Sequence, residues 1–147
     1  RSARRRRVCR PGSPKPASTG RIGPALRISS RTYAESRDDH PLEMFYRNLD
    51  PAARYRLRVV YGTGDLGSRD RPMTIRLVAN GRHEIHGLRP KDPAAQPVEF
   101  DLPPEATQGG DLRLTWSRPA GLGGNGRGVQ VAEVWLMRVP PASRLPG

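Results

Sequence analysis

The fold is decided by Asp111-Leu-Arg-Leu-Thr-Trp116, then Gly121-Leu-Gly-Gly-Asn-Gly-Arg-Gly128, then Val129-Gln-Val-Ala-Glu-Val-Trp-Leu-Met137. Two apolar-rich runs, each with a tryptophan, flank a loop with five glycines in eight residues. Glycine populates positive φ without a Cβ penalty, so such a loop suits a reversal between strands. The second run is apolar at most alternate positions on both sides, which predicts a central strand. In a period-two reading, Val129, Val131, Glu133 and Trp135 share one face, opposite Gln130, Ala132, Val134 and Leu136. Trp116 and Trp135 are then both core residues. Glu133, if buried, needs a partner such as Arg118 or Arg127.

The same period recurs upstream. Arg54-Tyr-Arg-Leu-Arg-Val-Val-Tyr61 places Tyr55, Leu57, Val59 and Tyr61 on one face and arginines on the other. Met73, Ile75, Leu77 and Ala79 alternate in the next run, and Asn80-Gly81 is a hairpin signal with His83-Glu-Ile-His86 as its return. Val98, Phe100 and Leu102 alternate again, as do Leu112, Leu114 and Trp116. Leu26-Arg-Ile28 and Leu42-Glu-Met-Phe-Tyr46 supply further short strands, and no segment carries a long helical period. The expected fold is all-β: an antiparallel jelly-roll or β-sandwich of about 7–9 strands.

Charge divides the chain. Residues 1–34 hold ten of the 26 basic side chains and no acid, whereas the remainder sets 16 bases against 14 acids. Residues 1–24 are rich in Arg, Pro, Ser and Gly and read as a disordered segment, because they cannot bury enough apolar surface to offset ordering entropy. Residues 25–139 form the β-domain and 140–147 a tail. Binding of nucleic acid or another polyanion is expected only through the arginines of residues 1–31. Cys9 is the only cysteine, so no intramolecular disulfide or cysteine metal cluster can form. No apolar run approaches the ~20 residues of a membrane helix, and no membrane partner is assigned.

The chemistry-bearing patterns are sparse. Gly121-Leu-Gly123-Gly-Asn-Gly126 spells G-x-G-x-x-G, but a strand rather than a helix follows it, which excludes a dinucleotide site. His83 and His86, three apart in a strand, fall on opposite faces and make poor joint metal ligands. Asp38-Asp39-His40 and Asp65 with Asp70 are oxygen-rich loops without metal-ligand spacing. No nucleophile motif or paired catalytic carboxylate stands out, so the chain is read as a non-enzyme. Tyr33, Tyr46, Arg69, Asn125 and Arg127 are the candidate ligand-binding residues, since they offer aromatic faces and planar donors outside the core strands.

Leu49-Asp-Pro-Ala-Ala-Arg-Tyr-Arg-Leu-Arg-Val-Val-Tyr61, together with the cassette from Leu112 to Met137, resembles the galactose-binding-like β-sandwich modules of bacterial polysaccharide-degrading and related proteins. The resemblance covers residues 25–139. It implies a carbohydrate-binding-like, non-catalytic accessory module, whose partner is a glycan or a neighbouring catalytic domain. A purely structural role beside that domain is the alternative. It also implies a secreted or periplasmic setting and an origin as the C-terminal piece of a larger bacterial enzyme. Many such modules carry structural calcium. No calcium loop is recognisable in this sequence, and no cofactor or metal is assigned.

Overall fold

The computed structural model describes residues 33–120 and 127–142, with the backbone of residues 3–7. Nine strands occur among them: β1 (Ala3–Arg7), β2 (Ala34–Arg37), β3 (Leu42–Tyr46), β4 (Arg54–Tyr61), β5 (Thr74–Ala79), β6 (His83–Pro90), β7 (Val98–Asp101), β8 (Leu112–Ser117) and β9 (Arg127–Val139). The only helical element among the described residues is a single 3₁₀ turn, Pro104–Ala106. The expected all-β architecture is present as two antiparallel sheets. One runs β1-β9-β4-β7, with β2 also paired to β9, and the other runs β3-β8-β5-β6. Ala3–Arg7, within the segment read as disordered, pairs with the second half of β9. The proposed strand at Leu26 to Ile28 lies outside the described residues.

The alternation read from sequence is the alternation that packs. Tyr55, Leu57, Val59 and Tyr61 from β4 meet Ile75, Leu77 and Ala79 from β5 and Leu112, Leu114 and Trp116 from β8 in one apolar core. Tyr46 of β3 joins them. On the opposite face of β4, Arg56 and Arg58 sit in register with Asp101 and Glu99 of β7. The Arg56 guanidinium bonds Asp101 at 2.8 Å and lies 3.8 Å from Glu99.

The Asn80-Gly81 signal forms a tight hairpin between β5 and β6. Both residues take left-handed φ, 51° and 73°, at the centre of a turn closed by the Arg82 N–H donating to the Ala79 carbonyl at 3.2 Å, with Ala79 in register with His83. Asn80 also braces its surroundings. Its Nδ2 donates to the Ala106 carbonyl at 2.7 Å and its Oδ1 accepts from the Arg113 N–H at 2.8 Å. The Leu49-Asp50-Pro51 turn is held in a similar way. Leu49 is buried, and Asp50 accepts from the Ala52 N–H and from Arg138.

β9 is central, as expected, but its phase differs from the simple period-two reading. Val60 pairs with Glu133 while Tyr61 pairs with Val131, leaving Ala132 as the extra residue of a β-bulge. Val129 and Val131 face the core before the bulge, and Val134 and Leu136 face it afterwards. Glu133 and Trp135 are therefore moved to the outer face. The expectation of a core Trp135 is corrected: it is half-buried, in register with Arg58, and its Nε1 donates to Glu133 Oε2 at 3.3 Å.

Leu57 is fully buried between the sheets. Leu57→Ala is expected to lower stability by about 2–5 kcal/mol, through lost apolar transfer and the cavity left behind. Urea denaturation of the two proteins measures this as a shift in midpoint at constant slope.

Candidate functional site

At one end of the sandwich, polar side chains from five segments converge. Tyr33 and Glu35 come from the β2 region, Asp65 from the β4–β5 loop and Lys91 from the segment after β6. Arg118 follows β8, and Arg127 and Gln130 open β9. Arg127 links three elements: Nε pairs with Glu35 at 3.0 Å, Nη1 donates to the Gly64 carbonyl at 2.8 Å and Nη2 donates to the Tyr33 hydroxyl at 3.0 Å. Gln130 is fully buried, and its Nε2 donates to the same Glu35 oxygen at 2.7 Å. Gln130 Oε1 accepts from the Asp65 N–H at 3.0 Å and from Lys91 Nζ at 2.9 Å.

The chain at Gly62 is shaped by this convergence. A Cβ there would lie 2.7 Å from the Tyr33 ring and 2.9 Å from Gln130 Cβ, so any larger residue would displace both. Arg118 is enclosed nearby, with no exposed side-chain surface. It donates to the Asp38 carbonyl at 2.7 Å and stands 3.6 Å from Asp39. Burial, the largest influence, pushes the Lys91 amine down to about 8, against the opposing pull of Asp65 and Glu35.

Of the residues chosen from sequence, Tyr33 and Arg127 are thus brought together, each engaged by the other. Tyr46 packs in the core and its position borders the groove beside Phe45 described below. Its β3 neighbour Phe45 is the outward residue, because Leu42, Met44 and Tyr46 take the inward phase. Arg69 is exposed in the β4–β5 loop, and Asn125 lies outside the described residues. Trp116 is core, as expected, with its Nε1 donating to the Tyr61 hydroxyl at 3.2 Å. Arg118 and Arg127, considered as partners for Glu133, are committed to the end cluster instead.

Phe45 borders a second feature. It is 50% exposed and sits in register with Arg113 of β8. Together with Arg47, Asn80 and Asp111 they line an open groove of about 290 Å³. Alternation alone could have nominated Phe45, since it falls on the polar phase of an amphipathic strand.

The histidines are arranged differently from expectation. β6 carries bulges that set His83 opposite Ala79 and His86 opposite Leu77, so the two share a register phase. They nonetheless serve different contacts. His83 lies beside Arg82, whereas His86 meets the Tyr61 hydroxyl through Nε2 and donates from Nδ1 to the Gly87 carbonyl at 2.7 Å. The His86 ring also packs 4.9 Å from that of Phe100. Among the described residues, no three His, Cys, Asp or Glu side chains group as a metal cage. The turn at Asp38 and Asp39 faces Arg118.

Burial lowers the His86 pKa below its ordinary 6.5, more than the Gly87 hydrogen bond raises it. Between the lowered folded value and 6.5 the unfolded chain binds more protons. The stability contributed by neutral His86 is therefore complete above pH 6.5 and is lost as pH falls below it. Denaturation midpoints followed through acid pH are expected to drop in the native chain and to drop less steeply in His86→Phe.

The chain matches no family model, no curated protein and no solved structure.

Proposed function

We propose that this chain is a non-catalytic carbohydrate-binding module that contacts its glycan at the β3–β8 groove. The observation that carries this reading is Phe45, an aromatic ring half open to solvent beside Arg113. A flat apolar ring accepts the C–H face of a pyranose, while guanidinium, amide and carboxylate groups at its edge match sugar hydroxyls. Arg47, Asn80, Asp111 and Arg113 supply those groups around the groove. Among the described residues, Asp111 is the one carboxylate in its lining, whereas acid–base hydrolysis of a glycosidic bond uses two. The connectivity also supports the resemblance to galactose-binding-like modules. The chain crosses between sheets at every connection except β1 to β2 and β5 to β6, in keeping with jelly-roll winding.

A polysaccharide array probed with the intact chain tests the reading. The expected result is saturable binding to a defined glycan that tolerates added salt. Phe45→Ala should weaken it about tenfold, equivalent to about 1.4 kcal/mol for one stacking contact. Phe45 is on the outer face, so the variant should keep the native denaturation midpoint. A blank array from folded protein would overturn the proposal in favour of a structural accessory domain. Binding confined to polyanions, falling steeply with salt, would transfer the function to the arginine-rich residues 1–31.

A further inference from the structure

Lys91 is a buried amine with an unusual partner. It is 8% exposed, and among the described residues no carboxylate lies within ion-pair distance of its Nζ. Its polar contact is the side-chain carbonyl of Gln130, at 2.9 Å. A buried ammonium without a contacting counter-charge is costly, and burial brings the amine down to about 8, so its neutral share becomes substantial at mildly alkaline pH. Neutral lysine in a desolvated site is a nucleophile.

The groups around Gln130 match what attack on its amide would need. Oε1, where negative charge would collect, already accepts from the Asp65 backbone N–H at 3.0 Å as well as from Lys91. Nε2, the nitrogen that would depart, donates to Glu35 Oε1 at 2.7 Å. That carboxylate is held by Arg127 at 3.0 Å. Both ends of the pair are fixed by main-chain bonds. The Lys91 N–H donates to the Met73 carbonyl at 3.1 Å, and the Gln130 carbonyl accepts from the Gly62 N–H at 3.1 Å.

We propose that Lys91 and Gln130 join in an intramolecular amide cross-link, with Glu35 as the proton carrier. Lys91 Nζ attacks Gln130 Cδ, so the Nζ–Cδ bond forms and the Cδ–Nε2 bond breaks. Glu35 takes a proton from the attacking nitrogen and delivers it to the departing one, which leaves as ammonia. No electrons are exchanged, and an amine plus a primary amide become a secondary amide plus ammonia. The bond would tie the segment after β6 to the central strand of the opposite sheet, bridging positions 39 apart. It would act as a disulfide does, by restricting the unfolded chain.

Intact-mass spectrometry of the purified, denatured full chain tests this directly. The expected mass falls below the sequence mass by one ammonia, and proteolysis yields a branched peptide holding both Lys91 and Gln130. Lys91→Arg should restore the full mass and melt at a lower temperature. Glu35→Gln, a positioning and proton-transfer variant, should form the bond more slowly on incubation at mildly alkaline pH. Full sequence mass in a folded native chain after that incubation would overturn the proposal. So would an ammonia deficit that persists in Lys91→Arg, since it would then arise elsewhere in the chain.

Discussion

Strand β9 has to satisfy three neighbours with one backbone. β4 lies along one side, while β2 and β1 share the other. Every N–H and C=O of a central strand is buried between partners, so its register cannot slip without flipping side chains on both sides. Ala132 resolves the conflict between the two halves. The bulge lets Val129 and Val131 face the core on one side of it and Val134 and Leu136 on the other. Were Ala132 paired in regular alternation instead of bulged, the second half of the strand would present polar Glu133 and the bulk of Trp135 to the core.

The start of β9 also organises the polar end of the sandwich. Arg127 and Gln130 are four residues or fewer from the beginning of that strand, yet they gather Tyr33, Glu35, Asp65 and Lys91. Buried polar groups are tolerated when their hydrogen bonds are made, and most here are. Lys91 is the member whose charge is least compensated, which places chemical potential in a region otherwise concerned with holding loops. The cross-strand network of Arg127, Glu35 and Tyr33 is therefore scaffold for Gln130, rather than a free surface for a ligand.

The β3–β8 groove stands apart from that cluster and has the opposite character. Its residues are outward-facing, its aromatic ring is open and its floor is stiffened by Asn80, whose amide braces the Ala106 and Arg113 main chain. Paired strands present Phe45 and Arg113 in fixed register, which would lower the ordering cost of the proposed binding. Because the two regions are separate, the proposed covalent tie at one end of the sandwich and the proposed recognition on the face of the other sheet would not compete for residues.

Much of the fold was legible in local pattern. The inward sets of β4, β5 and β8 could be listed from alternation, and Asn80-Gly81 announced its hairpin, because period and turn chemistry are local properties of the chain. Trp135 and the two histidines depart from the simple period. A bulge adds one residue and reverses every later face, and it is set by the partner strands rather than by the residues it displaces. The candidate site was legible only in fragments. Tyr33 and Arg127 stand out singly in the sequence, whereas Lys91 and Gln130 carry no motif. By itself, the amino-acid sequence determined the strand periods, the hairpin and the all-β class. Only the tertiary structure decided which polar residues meet, because those contacts join segments up to 95 residues apart and depend on strand register, which no local pattern records.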